Sequence, residues 1–141
     1  MSTEAVVDTS VIVALITPEE FSEWASKTIS KFSYFHIPDL CFYEVANAIK
    51  AKVLKKEINN KEAIAAFAEA VKLMNLYAIH GFTEVIADAM ALALGLNVTV
   101  YDGAYLSLAE KTGAKLITLD KKFAKNLKGT EYNKMVITRT D

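Results

Sequence analysis

The chain reads as an α/β protein: a three-layer α/β/α sandwich around a mainly parallel central sheet. Short β-branched apolar runs at residues 5–7, 34–37, 98–101 and 116–119 alternate with longer stretches whose apolar residues recur every three to four positions. Strands that alternate with helices in this way build parallel sheets covered on both faces. The 141 residues, 52% of them hydrophobic, suffice for a real core, and no repeat, low-complexity tract or linker divides them. Residues 1–141 are therefore expected to form one domain.

The elements follow in order. Residues 5–7, Ala-Val-Val, look like a buried central strand. Asp8, Thr9 and Ser10 then offer capping side chains for a helix reaching Ile16. Thr17 as cap with Pro18 at the first helical position predicts a second helix to about Lys31, burying Phe21, Trp24, Ala25, Ile29 and Phe32. Residues 34–37 are the second strand. Asp39 is expected to cap a helix whose apolar positions Leu40, Val45, Ala48, Ile49 and Val53 share one face. Asn60 should cap a helix over 61–75, and Thr83 one that ends at Gly95. Residues 98–101 are predicted as the third strand, with a helix over 103–112 stopped by Gly113. Residues 116–119 are the fourth strand, 121–127 a short helix and 135–138 a last edge strand.

On this plan Asp8, Asp102 and Asp120 stand at C-terminal strand ends, the edge where open α/β sheets bind ligands. Glu44 is the fourth acid, early in a long helix. Acids gathered on one edge repel one another and lose hydration unless a cation sits among them. Helix capping is the competing reading for Asp8, Asp102 and Asp120, and an ordinary exposed glutamate for Glu44. Asn47, one turn beyond Glu44, can reach the same face and orient it. Oxygen donors without histidine or thiolate fit Mg²⁺ or Mn²⁺ and disfavour zinc.

Residues 7–11 (Val-Asp-Thr-Ser-Val), 43–49 (Tyr-Glu-Val-Ala-Asn-Ala-Ile) and the block from Tyr101-Asp102-Gly103-Ala104-Tyr105 through Thr118-Leu119-Asp120 resemble the PIN-domain nucleases. The single-domain size resembles the VapC-type toxins of toxin–antitoxin pairs. The resemblance spans nearly the whole chain, and its last block is the most specific. It implies a PIN-like fold, Mg²⁺ or Mn²⁺ held by Asp8, Glu44, Asp102 and Asp120, and endonucleolytic cleavage of RNA. It also implies supporting hydroxyls at Ser10 and Thr118, Asn47 as the orienter of Glu44, a homodimer, and a small antitoxin that covers the active-site groove. Some branches carry a further acid two positions after the fourth; here that position is Lys122. The departure counts against a fully occupied second metal site.

With a net charge of −1, any nucleic-acid contact must be local. Lys50, Lys52, Lys55 and Lys56 follow Glu44, and Lys121, Lys122, Lys125 and Lys128 follow Asp120. Either cluster could meet an RNA backbone, with a solvated helix face as the alternative. The single cysteine, Cys41, fits a reducing cytoplasm, and no apolar stretch is long enough to span a membrane. His36 and His80 lack ligand spacing and are read as structural. A receiver or haloacid-dehalogenase-like phosphatase needs acids that Thr9-Ser10 does not supply. An RNA-processing nuclease outside a toxin pair, or a non-catalytic RNA- or protein-binding domain of the same family, remain as alternatives.

Overall fold

Apolar character on both faces makes the first strand the middle of the sheet. In the computed structural model, which describes residues 3–140, β1 (Glu4–Val7) is buried along residues 5–7. It pairs in parallel with β2 (Tyr34–Pro38) on one side and β4 (Lys115–Ile117) on the other. Beyond these lie β3 (Ala78–His80) and β5 (Val136–Ile137), giving a five-stranded, fully parallel sheet in the order β3-β2-β1-β4-β5. The chain adds strands outward through β2 and β3, then returns to the far side of β1. That reversal opens a crevice at the C-terminal ends of β1 and β4, the favoured ligand position in such sheets.

Helices α1 (Thr9–Ile16), α2 (Ser22–Ile29), α3 (Leu40–Leu54) and α4 (Asn60–Met74) pack together as one group. Helix α6 (Val100–Thr112) lies against β1, β2 and β4, and α5 (Phe82–Gly95) packs on α6. Helix α7 (Lys121–Asn126) follows β4, and a 3₁₀ turn (Glu131–Met135) leads into β5. Residues 103–109 of α6 are buried on every side, as expected for a helix that is a core element rather than a surface one. Leu106 and Leu108 meet the layer built by Val6, Ile12, Ile37, Leu116 and Ile117.

The largest departure from the elements expected of the sequence concerns the third strand. Residues 98–101 are not a strand. Thr99 caps α6, its hydroxyl accepting from the Asp102 N–H at 3.0 Å. The β-branched run Val98-Thr99-Val100 carried a strand pattern, but local capping and the burial of α6 override it. The third strand is instead β3, three residues long and ended by Gly81. Thr17 closes α1 by bonding back to the Val13 carbonyl, so α2 begins only at Ser22. Asp39 makes no cap bond to its own helix; its carboxylate accepts from the Phe82 N–H and fixes the start of α5. Gly81, not Thr83, precedes α5, and Asn59, not Asn60, caps α4 through a capping box with Glu62.

His36 and His80, far apart in sequence, meet in space. A chain of hydrogen bonds runs Glu4–His36–His80–Glu84 with spacings of 2.7, 2.9 and 2.9 Å. It ties β1, β2, β3 and α5 together, and it occupies all four ring nitrogens.

Gly103 carries the tightest contact between α5 and α6. A Cβ there would stand 2.5 Å from the Ala89 carbonyl oxygen, a backbone atom that cannot swing aside. Gly103→Ala is expected to destabilise the protein by about 1–3 kcal/mol, read as a shift in the urea midpoint at constant slope. An unchanged midpoint would mean that the two helices are not held at this separation.

Candidate functional site

Asp8 follows β1 directly and caps α1, one carboxylate oxygen accepting from the Val11 N–H at 3.3 Å. The Ser10 hydroxyl donates to that same oxygen, and the Thr118 hydroxyl donates to the other. Both hydroxyls also accept: Ser10 from the Leu119 N–H and Thr118 from the Asp120 N–H, each at 2.9 Å. Ser10 and Thr118 thus stitch the end of β1 to the end of β4 around one carboxylate that is only 8% exposed. Its pKa is raised to about 6: burial raises it most, the bonds from Ser10, Thr118 and Val11 offset part of that rise, and the charge of Asp120 adds to it.

Asp120 caps α7 through the Phe123 N–H at 3.0 Å. Asp102 sits in the first turn of α6, half-buried, where the helix dipole favours an anion. Its pKa is nonetheless raised, first by burial, then by the charge of Asp120, and further by Glu44. Asp102 and Asp120 share a cleft of about 430 Å³ with Asn97, Thr99, Lys122 and Asn126. On the other flank, a cleft of about 550 Å³ runs past Thr9, Ser10, Glu19, Lys52 and Lys55. A larger cavity of about 700 Å³, where α3 turns into α4, holds none of the four acids.

Glu44 projects from α3, and Oε1 accepts from the Tyr105 hydroxyl at 2.7 Å and the Thr9 hydroxyl at 3.0 Å. Asn47 makes no bond to it; one turn further along α3 its side chain is exposed. The contacts to Glu44 expected of Asn47 are made instead by Tyr105 and Thr9. Sequence reading passed over both. Thr9 adjoins Asp8, and Tyr105 lies three residues after Asp102 and so on the same side of α6, but nothing in the sequence says that this side faces α3.

The four acids are electrostatic neighbours: Asp8 feels Asp120, and Asp102 feels Asp120 and Glu44. Among the described residues no three His, Cys, Asp or Glu side chains form a ready metal cage. Each acid is engaged by hydroxyls or backbone N–H groups, which favour its ionised form. The donor set still fits a hard divalent cation. It is all oxygen, it is partly desolvated, and two of its members pay for their charge in raised pKa values.

The lysines separate. Lys52 is not available to phosphate: its ammonium binds Glu19 at 2.6 Å and Glu57 at 3.5 Å, and its side chain is 13% exposed. Burial lowers its pKa, but Glu19 and Glu57 outweigh burial and leave it raised. Lys50 is exposed and lines an apolar groove between α3 and α4, away from the acids. Lys122 reaches the acidic cleft, while Lys121, Lys125 and Lys128 line a neighbouring cleft with Arg139, whose guanidinium stacks 3.6 Å over Phe21.

Residues 5–127 match the family model described as the PIN domain. The chain is 44% identical over 119 residues to Ribonuclease VapC3 of Pyrobaculum aerophilum, a match covering 84% of this chain and 91% of that protein. Among solved structures, a toxin–antitoxin complex from Klebsiella pneumoniae superposes with a TM-score of 0.69 at 18% identity, covering 95% of this chain and 96% of that one. Mycobacterium tuberculosis VapC20, described as a sarcin–ricin loop cleaving toxin, gives 0.64 at 16% identity, covering 86% and 93%.

The buried charge of Asp8 has a consequence for stability. Its folded pKa of about 6 exceeds the ordinary 3.8, so the folded state holds the proton more tightly than the unfolded chain. Below pH 3.8 both states are protonated and the group costs nothing. As pH rises from 3.8 to about 6, stability falls by up to about 3 kcal/mol, and the full penalty persists above that window. Asp8→Asn, which keeps a good helix cap, is expected to melt above the parent at pH 7 in EDTA, with the two curves converging near pH 4. A variant that melts lower at pH 7 would contradict the assignment.

Proposed function

Because the chain belongs to the PIN-domain family, we propose that it is a Mg²⁺- or Mn²⁺-dependent endoribonuclease, the toxin of a toxin–antitoxin pair, built as one domain over residues 1–141. The observation that carries this reading is the concentration of Asp8, Glu44, Asp102 and Asp120 within mutual electrostatic reach at the sheet edge. Asp8, Asp102 and Asp120 would hold the ion, with Glu44 completing the set. When bound, such an ion neutralises phosphate charge and lowers the pKa of a coordinated water.

The rest is done by the chain itself. Ser10 and Thr118 hold both oxygens of Asp8 and so fix one ligand against two strands. The N-terminal turn of α6 presents Asp102, and that of α7 presents Asp120. Lys122 at the acidic cleft, with Lys125 and Lys128 beyond it, supplies positive charge for a polyanion that four acids would otherwise repel. The name of the VapC3 relative supports ribonuclease activity on RNA. The toxin–antitoxin complex among the fold neighbours supports an antitoxin partner.

The exposed row Phe82, Ile86, Met90 and Leu94 along α5 supports a homodimer, since so much apolar surface on one helix is unusual for a monomer. Among the described residues no single helix is long and apolar enough to cross a membrane. We place the activity in the cytoplasm, where the buried free thiol of Cys41 is at home.

Purified protein with Mg²⁺ is expected to cut RNA and to stop in EDTA. Asp8→Asn, Asp102→Asn and Asp120→Asn should each lower the rate by roughly 1000-fold, the scale of several kcal/mol of charge stabilisation, with cooperative melting retained. Parent-level cleavage by any of them, with contaminating nuclease excluded, would refute the site.

The lysines give a second measurement. Replacing Lys122, Lys125 and Lys128 with alanine should shrink the slope of log affinity against log salt by about 0.7 for each single-strand phosphate that is no longer neutralised. Lys52→Ala should leave that slope unchanged, because its ammonium already belongs to Glu19 and Glu57.

A further inference from the structure

Glu44 has two carboxylate oxygens in unlike surroundings. Oε1 receives the Tyr105 and Thr9 hydroxyls at 2.7 and 3.0 Å, and those hydroxyl oxygens are 2.9 Å apart. Oε2 has no hydrogen-bond partner among the described residues. The three groups come from separate elements: Thr9 opens α1, Glu44 is on α3 and Tyr105 on α6. Tyr105 is 3% exposed. From this buried position its hydroxyl donates to Oε1.

From this arrangement we infer that Tyr105 and Thr9 are positioning residues for Glu44, closing Oε1 so that Oε2 is the oxygen left to a divalent cation. The inference rests on the reading of Glu44 as a member of the ion-binding set. A glutamate side chain on a helix loses considerable rotamer freedom when fixed, and two hydroxyls, one from the core helix α6 and one from the first turn of α1, fix it in advance. Two hydroxyl protons serve three short contacts, so the two donors are coupled: removing either hydroxyl changes the bond that the other makes. Residues in this position around a metal typically shift affinity 10- to 100-fold.

The test is Mn²⁺ binding to the intact protein, followed by electron paramagnetic resonance, with melting curves for every variant. Tyr105→Phe and Thr9→Val are each expected to weaken Mn²⁺ about 10-fold, Thr9→Ser to restore parent affinity, and the double variant to be little worse than the weaker single one. The Mg²⁺ concentration for half-maximal RNA cleavage should move by the same factor, with KM for RNA at saturating Mg²⁺ unchanged. A tyrosine that only fills the core would alter melting and leave these ion titrations in place.

Glu44→Gln separates the ligand role from the positioning role. If Glu44→Gln weakens Mn²⁺ while Tyr105→Phe and Thr9→Val bind as the parent does, the positioning role is overturned and the ligand assignment stands. If Glu44→Gln also binds as the parent does, the ligand assignment falls and takes the positioning role with it. Should Tyr105→Phe fail to fold, the Thr9→Val and Thr9→Ser pair decides the matter alone.

Discussion

Two hydroxyls on opposite oxygens of Asp8 hold together the seam on which this molecule is organised. Ser10 and Thr118 come from the two chain segments that leave β1 and β4, and each also accepts a backbone N–H from the β4 side. The bonds join two strand ends 110 residues apart in sequence, at the point where the sheet order reverses. They also keep a carboxylate charged in a place where burial resists charge. Bonding to the ionised form offsets part of the desolvation penalty but not all of it. The remainder is a penalty that a bound cation would relieve.

Helix α6 extends this constraint across the sheet. It is buried through its middle, and Gly103 lets the Ala89 backbone approach closer than any side chain would allow. Two consequences follow from one placement. Asp102, just before the buried stretch, is delivered to the cleft with Asp120. Tyr105, three residues on, is delivered to Glu44. A displacement of α6 along its axis would move both together, so the acidic group depends on core packing as much as on its own side chains.

Much of this was legible in the sequence, for identifiable reasons. Asp8 after an apolar run, Gly113 at a helix end with φ of 71°, and the short helix after Asp120 are local signals that survived, whereas the caps expected at Thr17, Asp39, Asn60 and Thr83 moved or took other partners. The strand expected at 98–101 did not survive, because a four-residue run bounded by Asn97 and Asp102 fits both a strand and a capped helix start, and only the pairing partner decides. Strand β3 escaped notice because three residues carry too little periodicity to register. Pairings between distant side chains were the least visible. Lys52 with Glu19, His36 with His80, and Glu44 with Tyr105 are set by the packing of helices and strands that the sequence orders but does not orient.

Charge balance connects the site to its substrate. The whole chain is within one unit of neutrality, so attraction of a polyanion cannot come from a global field. It has to come from lysines close enough to act within a Debye length of about 8–10 Å. Lys122 lines the acidic cleft two residues after Asp120. A positive group there lowers the need for a second cation while helping to offset the negative charge of the four carboxylates. On the function proposed above, a lysine at this position would both disfavour a fully occupied second metal site and ease the approach of phosphate, linking the number of ions to the recognition of the strand.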